Sequence, residues 1–271
     1  FINGICNANC FYCPSPQNEE DEPTTQTIRF PEVEDYIDYI RKFEFGGVSI
    51  SGGEPFLTFE KTIRFIKGIR EAFGNEIYLW LYTNGILANE EKLKELREAG
   101  LSEIRFDIGA VGYKTNKVEI ARKIMDTVTV EIPAVPEEKD RLKQLLLHLD
   151  TIGVDYLNLH QIRCTPHNYR KLLKRGYTFL HGPQITVLES ELTALEMVKF
   201  AIEHQLGIPV NYCSSIYKYR YQRMAARKRH APYMAQPYEE ITETGIIRTL
   251  TAKGDKKTIE NVFQKMKNGG V

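Results

Sequence analysis

Three cysteines lie close together near the start of the chain, in the run Ile5-Cys6-Asn7-Ala8-Asn9-Cys10-Phe11-Tyr12-Cys13-Pro14. Their spacing is Cys-x3-Cys-x2-Cys. Thiolates are the usual ligands of iron–sulfur clusters, and a short loop of this spacing can gather three sulfurs around one compact centre. No fourth cysteine follows nearby, and the next is Cys164. A cluster held by three thiolates keeps one iron open to a ligand from outside the protein. A cluster that does chemistry needs that open position, whereas one that only shuttles electrons does not. Structural zinc is a second reading of the same thiols. Such sites usually take four ligands, and neither Cys nor His lies between Cys13 and His148, so zinc would need a distant fourth ligand.

Other polar residues cluster where apolar runs end. Val48-Ser49-Ile50-Ser51 leads into Gly52-Gly53-Glu54-Pro55, and Tyr82 leads into Thr83-Asn84-Gly85. Glycines without side chains let backbone come close to a ligand, and Glu54 offers a carboxylate for a charge-assisted hydrogen bond. A tight turn with Glu54 in solvent is the alternative, as is a simple Asn-Gly turn at Asn84. Asp107 ends the apolar run Ile104-Arg105-Phe106, where it could face a ligand or pair with Arg105. Glu131 sits between Val130 and Ile132 and takes one face of its strand. Asn158 and His160 are two apart and share a face, with Leu157 and Leu159 on the other.

The elements that position these residues alternate. Strands are expected at Val48–Ser51, Ile77–Tyr82, Ile104–Ile108, Val128–Val135, Tyr156–Ile162 and Ile208–Tyr212, each β-branched or aromatic and bounded by turn residues. Helices are expected at Pro31–Phe43, Phe59–Phe73, Glu90–Ala99, Asn116–Met125, Glu137–Leu149 and Glu191–Gln205. Pro31 suits a first turn, Ile63, Ile66 and Ile69 share one face, and Gly100 is a candidate C-cap. This alternation predicts βαβ units, a parallel sheet and an α/β fold, curled into a partial (β/α)6-type barrel. Ligands of such folds sit at the C-terminal strand ends, where the polar residues above fall. The barrel is expected to span residues 1–212, with a mainly helical C-terminal extension over 213–271.

The cysteine triplet, with Tyr12 before its last member, resembles the signature of the radical S-adenosylmethionine (SAM) superfamily. Ser51-Gly52-Gly53-Glu54-Pro55 is similar to that family's Gly-Gly-Glu-Pro motif, and Tyr82-Thr83-Asn84-Gly85 to its Thr-Asn-Gly strand end. The three occur in the family's order within the first 110 or so residues. The resemblance implies a 4Fe–4S cluster on Cys6, Cys10 and Cys13, with SAM chelating the open iron. It implies a cofactor site drawn from Tyr12, Gly52, Gly53, Glu54, Thr83, Asn84, Asp107, Asn158 and His160, with Glu54 near the methionine ammonium. Reductive cleavage of SAM would give a 5′-deoxyadenosyl radical that takes hydrogen from a substrate. Broadly, the outline is similar to activases of glycyl-radical enzymes and to enzymes that modify peptides or small metabolites. An electron donor such as a ferredoxin or flavodoxin is implied, as is oxygen sensitivity. The substrate, whether protein, peptide or small molecule, has no signature here. Two other classes are kept: an iron–sulfur electron carrier without a SAM site, and a zinc-dependent nucleic-acid-binding module.

Composition narrows the field. The chain has 271 residues, 42% of them hydrophobic, with 36 Lys plus Arg against 36 Asp plus Glu. Zero formal charge gives no reason to expect a nucleic-acid or membrane partner, and no apolar run approaches the roughly 20 residues of a membrane span. Five cysteines, three of them clustered, point to metal in a reducing compartment and not to a disulfide framework. A cytoplasmic location is expected. The chain starts at Phe1 and not at Met, which points to a missing N-terminal stretch. Cys164 and Cys213 are too few for a second four-thiolate cluster and read as small buried or loop thiols. Residues 217–230 hold six basic residues and three tyrosines without an acid. If helical, Arg220, Arg223 and Arg227 form one stripe and Tyr217, Tyr221 and Met224 another. The basic stripe suits an anion or a solvated helix face.

Overall fold

The computed structural model describes residues 1–19, 22–25, 28–251 and 253–267. The chain divides into two compact units, Phe1–Lys218 and Tyr219–Val271. In the first unit six strands form one sheet: β1 Gly47–Ile50, β2 Tyr78–Thr83, β3 Glu103–Phe106, β4 Thr127–Pro133, β5 Tyr156–His160 and β6 Val210–Cys213. Neighbours follow chain order across the sheet, and every pair is parallel. Parallel neighbours need crossovers, and each crossover carries a helix. These are α2 Phe59–Phe73, α3 Glu90–Glu98, α4 Asn116–Arg122, α5 Lys139–Thr151, and, between β5 and β6, α6 Tyr169–Leu173 and α7 Leu188–Glu203. Helix α1, Val33–Lys42, precedes β1. Among the described residues no ladder joins β1 to β6, so the architecture is the expected α/β parallel sheet left open.

Period-two alternation gives the sheet two different faces. Val48, Ile50, Leu79, Leu81, Ile104, Phe106, Val128, Val130, Ile132, Leu157 and Leu159 are buried in one core with Ile63, Ile66 and Ile69 of α2, Leu93 and Leu96 of α3, and Leu142, Leu146 and Leu149 of α5. Burying each such side chain contributes roughly 1.5–3 kcal/mol, so the helices are pinned to that face. The opposite face carries Trp80, Tyr82, Glu103, Arg105, Thr129, Glu131, Asn158 and His160, and register keeps them together: Arg105 pairs with Tyr82 and Thr129, Glu131 with Asn158.

Several ends differ from the expected spans. Strand β3 stops at Phe106 because a 3₁₀ turn, Ile108–Val111, begins beyond Asp107. Strand β5 stops at His160, and α5 starts after a 3₁₀ turn at Pro136–Glu138. Helix α6 and the short antiparallel pair Phe179–Leu180 with Thr186–Val187 fall outside the expected elements, since this stretch shows neither apolar period. In the second unit α8 spans Arg223–Met234 and α9 Lys256–Lys267, with an antiparallel pair at Glu240–Ile241 and Ile247–Arg248 between them. Arg220 lies in a π turn, Lys218–Gln222, ahead of α8.

Candidate functional site

A cavity of about 400 Å³ opens at the C-terminal ends of the strands. Its size lies within the range of small-molecule and cofactor sites. Cys6, Cys10 and Cys13 all line it. The loop that carries them is zipped to the turn after β1. Ser51 O accepts from Ile2 N at 2.7 Å, Asn3 O accepts from Gly53 N at 3.1 Å, and Ile5 O accepts from Glu54 N at 2.7 Å. This contact explains the two glycines. A Cβ on Gly53 would lie 1.8 Å from Ile5 O, and one on Gly52, whose φ is +141°, would lie 2.4 Å from Asn3 O. The close approach they permit is to the cysteine segment itself, while both glycines also face the cavity.

Glu54 does not line the cavity. It is fully buried, and its carboxylate faces the chain: Oε1 accepts from Phe56 N at 3.1 Å and from Thr83 Oγ1 at 2.8 Å, and Oε2 accepts from Asn84 N at 2.7 Å. Burial pushes its pKa up, against these three donors. The acid therefore ties the turn after β1 to the turn after β2, and Pro55, which has no N–H to satisfy, opens the 3₁₀ turn that it caps. Thr83 also accepts from Gly85 N at 3.0 Å. Asn84 reaches back to the cysteine loop, donating from Nδ2 to Asn7 Oδ1 at 2.7 Å and to Cys6 Sγ at 3.7 Å.

Asp107 pairs with Tyr12 and not with Arg105. The Tyr12 hydroxyl lies 3.0 and 3.2 Å from its two oxygens, which ties the cysteine loop to the end of β3. Burial pushes the Asp107 carboxyl up to about 6, and raises Tyr12 as well. The thiols respond to the same surroundings: Cys6 is raised by burial, and Cys10 is pushed up to about 11 by burial and then by Asp107. None of the five cysteines is in a disulfide. Cys6 Sγ accepts from Ala8 N at 3.4 Å, and Gln17 Nε2 lies 4.0 Å from Cys13 Sγ. Among the described residues no three His, Cys, Asp or Glu side chains converge tightly enough to hold a single ion.

The polar face of the sheet supplies the rest of the wall. Glu131 accepts from Arg105 Nη1 at 2.9 Å and from Asn158 Nδ2 at 3.0 Å, and makes a short contact with His160 Nε2. Burial opposes its ionisation, but His160, Arg105 and Asn158 outweigh burial and hold its carboxyl at about 2. Glu131 and His160 reach the cavity, whereas Asn158 does not line it. Arg105 is fixed from the other side by Glu103, with contacts of 2.8 and 3.0 Å. Its guanidinium lies 5.1 Å from the Trp80 ring centre, within cation–π range.

Four contributors lack a local signal. Asn3 is buried and donates to Glu54 O at 2.9 Å and Thr58 Oγ1 at 2.8 Å, while its Oδ1 accepts from Gly53 N. Asn168, also buried, donates to Tyr12 O at 3.2 Å and Arg163 O at 2.9 Å. Arg163 and Lys218 line the cavity at the β5–β6 side. Cys213 ends β6 and lines it too, whereas Cys164 packs with Phe11 and Tyr12 on a small apolar cluster around Ile162 and Leu172.

Comparison with known proteins places this arrangement. The model of the radical SAM superfamily matches residues 1–134. A Methanocaldococcus jannaschii protein, provisionally named a glycyl-radical enzyme activating enzyme, is 32% identical over 259 residues, covering 91% of this chain and 68% of that protein. A GTP 3′,8-cyclase of Aquifex aeolicus is 29% identical over 125 residues, 44% of this chain and 37% of its own. Among solved structures, Streptococcus suis SuiB bound to S-adenosylmethionine shares the fold, with a TM-score of 0.56 at 11% identity. That match covers 79% of this chain and 49% of SuiB, so the chain spans only about half the length of that structure. No helix of the described residues is long and apolar enough to cross a membrane. Motif order, the parallel sheet with its cavity at the strand ends, and identity over most of the archaeal relative lead to one conclusion: the chain belongs to the radical SAM superfamily of enzymes.

Proposed function

We propose that Cys6, Cys10 and Cys13 hold a 4Fe–4S cluster, and that S-adenosylmethionine lies beside it against Gly52, Gly53 and Asn84. The observation that carries this reading is the meeting of the three thiols with the Gly-Gly turn and Asn84 in one cavity. The donor set suits the group. Burial and the neighbouring Asp107 raise the Cys10 thiol, and metal coordination is what makes such a thiol a thiolate. A structural zinc usually takes four ligands, and neither Cys nor His lies between Cys13 and His148 to complete such a set locally. The chemistry that the cofactor pair supplies when bound is reductive cleavage of the sulfonium and removal of hydrogen from a substrate.

The chain's own residues bind and orient. Asn84 and the Ala8 amide donate towards Cys6 sulfur, as such clusters accept. Glu54 acts through Thr83 and Asn84, which donate to its oxygens, and not by reaching the ammonium, because it is fully buried and does not line the cavity. Asp107 holds Tyr12, and with it the middle of the cysteine loop. The substrate is a protein or peptide, by the archaeal relative's name, with a small molecule as the alternative drawn from the cyclases. A reduced ferredoxin or flavodoxin is the electron donor. Anaerobic reconstitution tests the cluster: about four iron and four sulfide per chain are expected, and Ala at Cys6, Cys10 or Cys13 should abolish them. Undiminished iron in all three variants refutes the assignment.

A further inference from the structure

We propose that Lys218 and Arg163 form a subsite for an anionic group of the substrate, a carboxylate or a phosphate, at the β6 edge of the cavity. The proposal rests on reading the opposite edge as the cofactor site. Both side chains line the cavity. Lys218 donates to His160 Nδ1 at 2.9 Å, and among the described residues no carboxylate lies within ion-pair distance of it. The acid nearest in the wall, Glu131, is already committed to His160, Arg105 and Asn158. Because the Lys218 ammonium can only donate, the Nδ1 of His160 accepts and its Nε2 carries the proton towards Glu131.

Burial lowers the Lys218 pKa; Cys213 and Glu131 oppose that, and the charge of Arg163 adds to it. Two cations thus share a partly desolvated wall, close enough to feel each other. An anion between them offsets both the desolvation and the repulsion. The backbone holds both in place. Arg163 O accepts from buried Asn168, and Arg163 is bridged to Thr186. Lys218 N donates to Ser214 O at 3.1 Å at the end of a single turn capped by the Ser214 hydroxyl.

Position assigns the pair to substrate. β6 and β1 are the two edges of the sheet, five ladder spacings of about 4.8 Å apart along it. The Gly-Gly turn follows β1, and Lys218 follows β6. Small anions test the subsite without the cofactors. The probe is acetylation of Lys218 by acetic anhydride on the full chain, located by peptide mass spectrometry, in succinate, inorganic phosphate or sodium chloride of equal ionic strength. Tens of millimolar succinate or phosphate should slow Lys218 modification about fivefold or more, as expected of a millimolar site, with exposed Lys94 unchanged. Whichever anion protects names the group. Arg163→Met should remove the protection and Arg163→Lys should retain it. Equal rates in all three salts overturn the proposal. So does a Lys218→Met protein that folds, carries its cluster and binds SAM tenfold more weakly, because the pair would then belong to the cofactor's carboxylate. Wild-type protein that takes up neither cluster nor SAM, yet shows the protection, would sink the cofactor reading alone.

Discussion

Replacing Glu54 by Gln separates a brace from a ligand. In the native site Oε1 takes Phe56 N and Thr83 Oγ1, and Oε2 takes Asn84 N at 2.7 Å. A Gln with its oxygen at Oε1 sets an NH2 against the Asn84 N–H, donor facing donor. Flipped, it sets the NH2 against Phe56 N. Either way one buried backbone N–H loses its acceptor, which costs about 1–3 kcal/mol. Relief of the buried charge, which already raises the Glu54 pKa, offsets part of this, so about 1–2 kcal/mol remains. For a domain of this size that lowers Tm by about 2–8 °C. Calorimetry or circular dichroism on the cofactor-free chain reads it. A brace predicts the loss without SAM present, with SAM affinity weakened only through the displaced Asn84. An unchanged Tm in the cofactor-free Glu54→Gln protein, joined to a large loss of SAM affinity, would refute the brace and return Glu54 to direct contact.

Gly53→Ala should prevent the cysteine segment from seating, because its Cβ would fall 1.8 Å from Ile5 O; iron uptake should collapse, while Gly46→Ala, with nothing within 4 Å, should be neutral. Normal iron uptake in the Gly53→Ala protein would contradict the zipped geometry. Glu131 contributes a pH dependence. Its folded pKa is held at about 2 against an ordinary 4.5, so its stabilisation is full above the ordinary value and is lost as pH falls from about 4.5 towards 2. That is worth up to about 3 kcal/mol. Urea midpoints of wild type and Glu131→Gln should converge at the acid end, and parallel acid limbs would count against the pairing.

What the sequence discloses is what lies close along the chain. Helix α2 is found at Phe59–Phe73 because Ile63, Ile66 and Ile69 make one apolar face, and the polar face of β5 follows from Asn158 and His160 being two apart. The thiols, the Gly-Gly turn and Thr83-Asn84 are visible as local runs, and they do share a cavity. Their partners are not visible. The direction of the Glu54 carboxylate depends on Thr83 and Asn84, about thirty residues on. Arg105 is a near neighbour of Asp107 in sequence, but side chains at a strand's end and middle need not meet, and it pairs across strands with Glu131. Asn168 reaches Tyr12 over 156 residues, through a segment with no amphipathic period to announce it. Lys218 is one of six bases in a run that reads as a solvated helix face; its place just past the end of β6, at the head of the π turn, sets it apart from the others.

The central claim is that three thiols leave a cluster open to SAM in this cavity. Titrating SAM into the anaerobically reconstituted, dithionite-reduced protein, followed by electron paramagnetic resonance and by chromatography for 5′-deoxyadenosine, tests it most directly. A SAM-dependent change in the cluster spectrum together with 5′-deoxyadenosine is expected. A full complement of iron and sulfide whose spectrum ignores SAM, with no such product, would contradict it and leave an electron carrier.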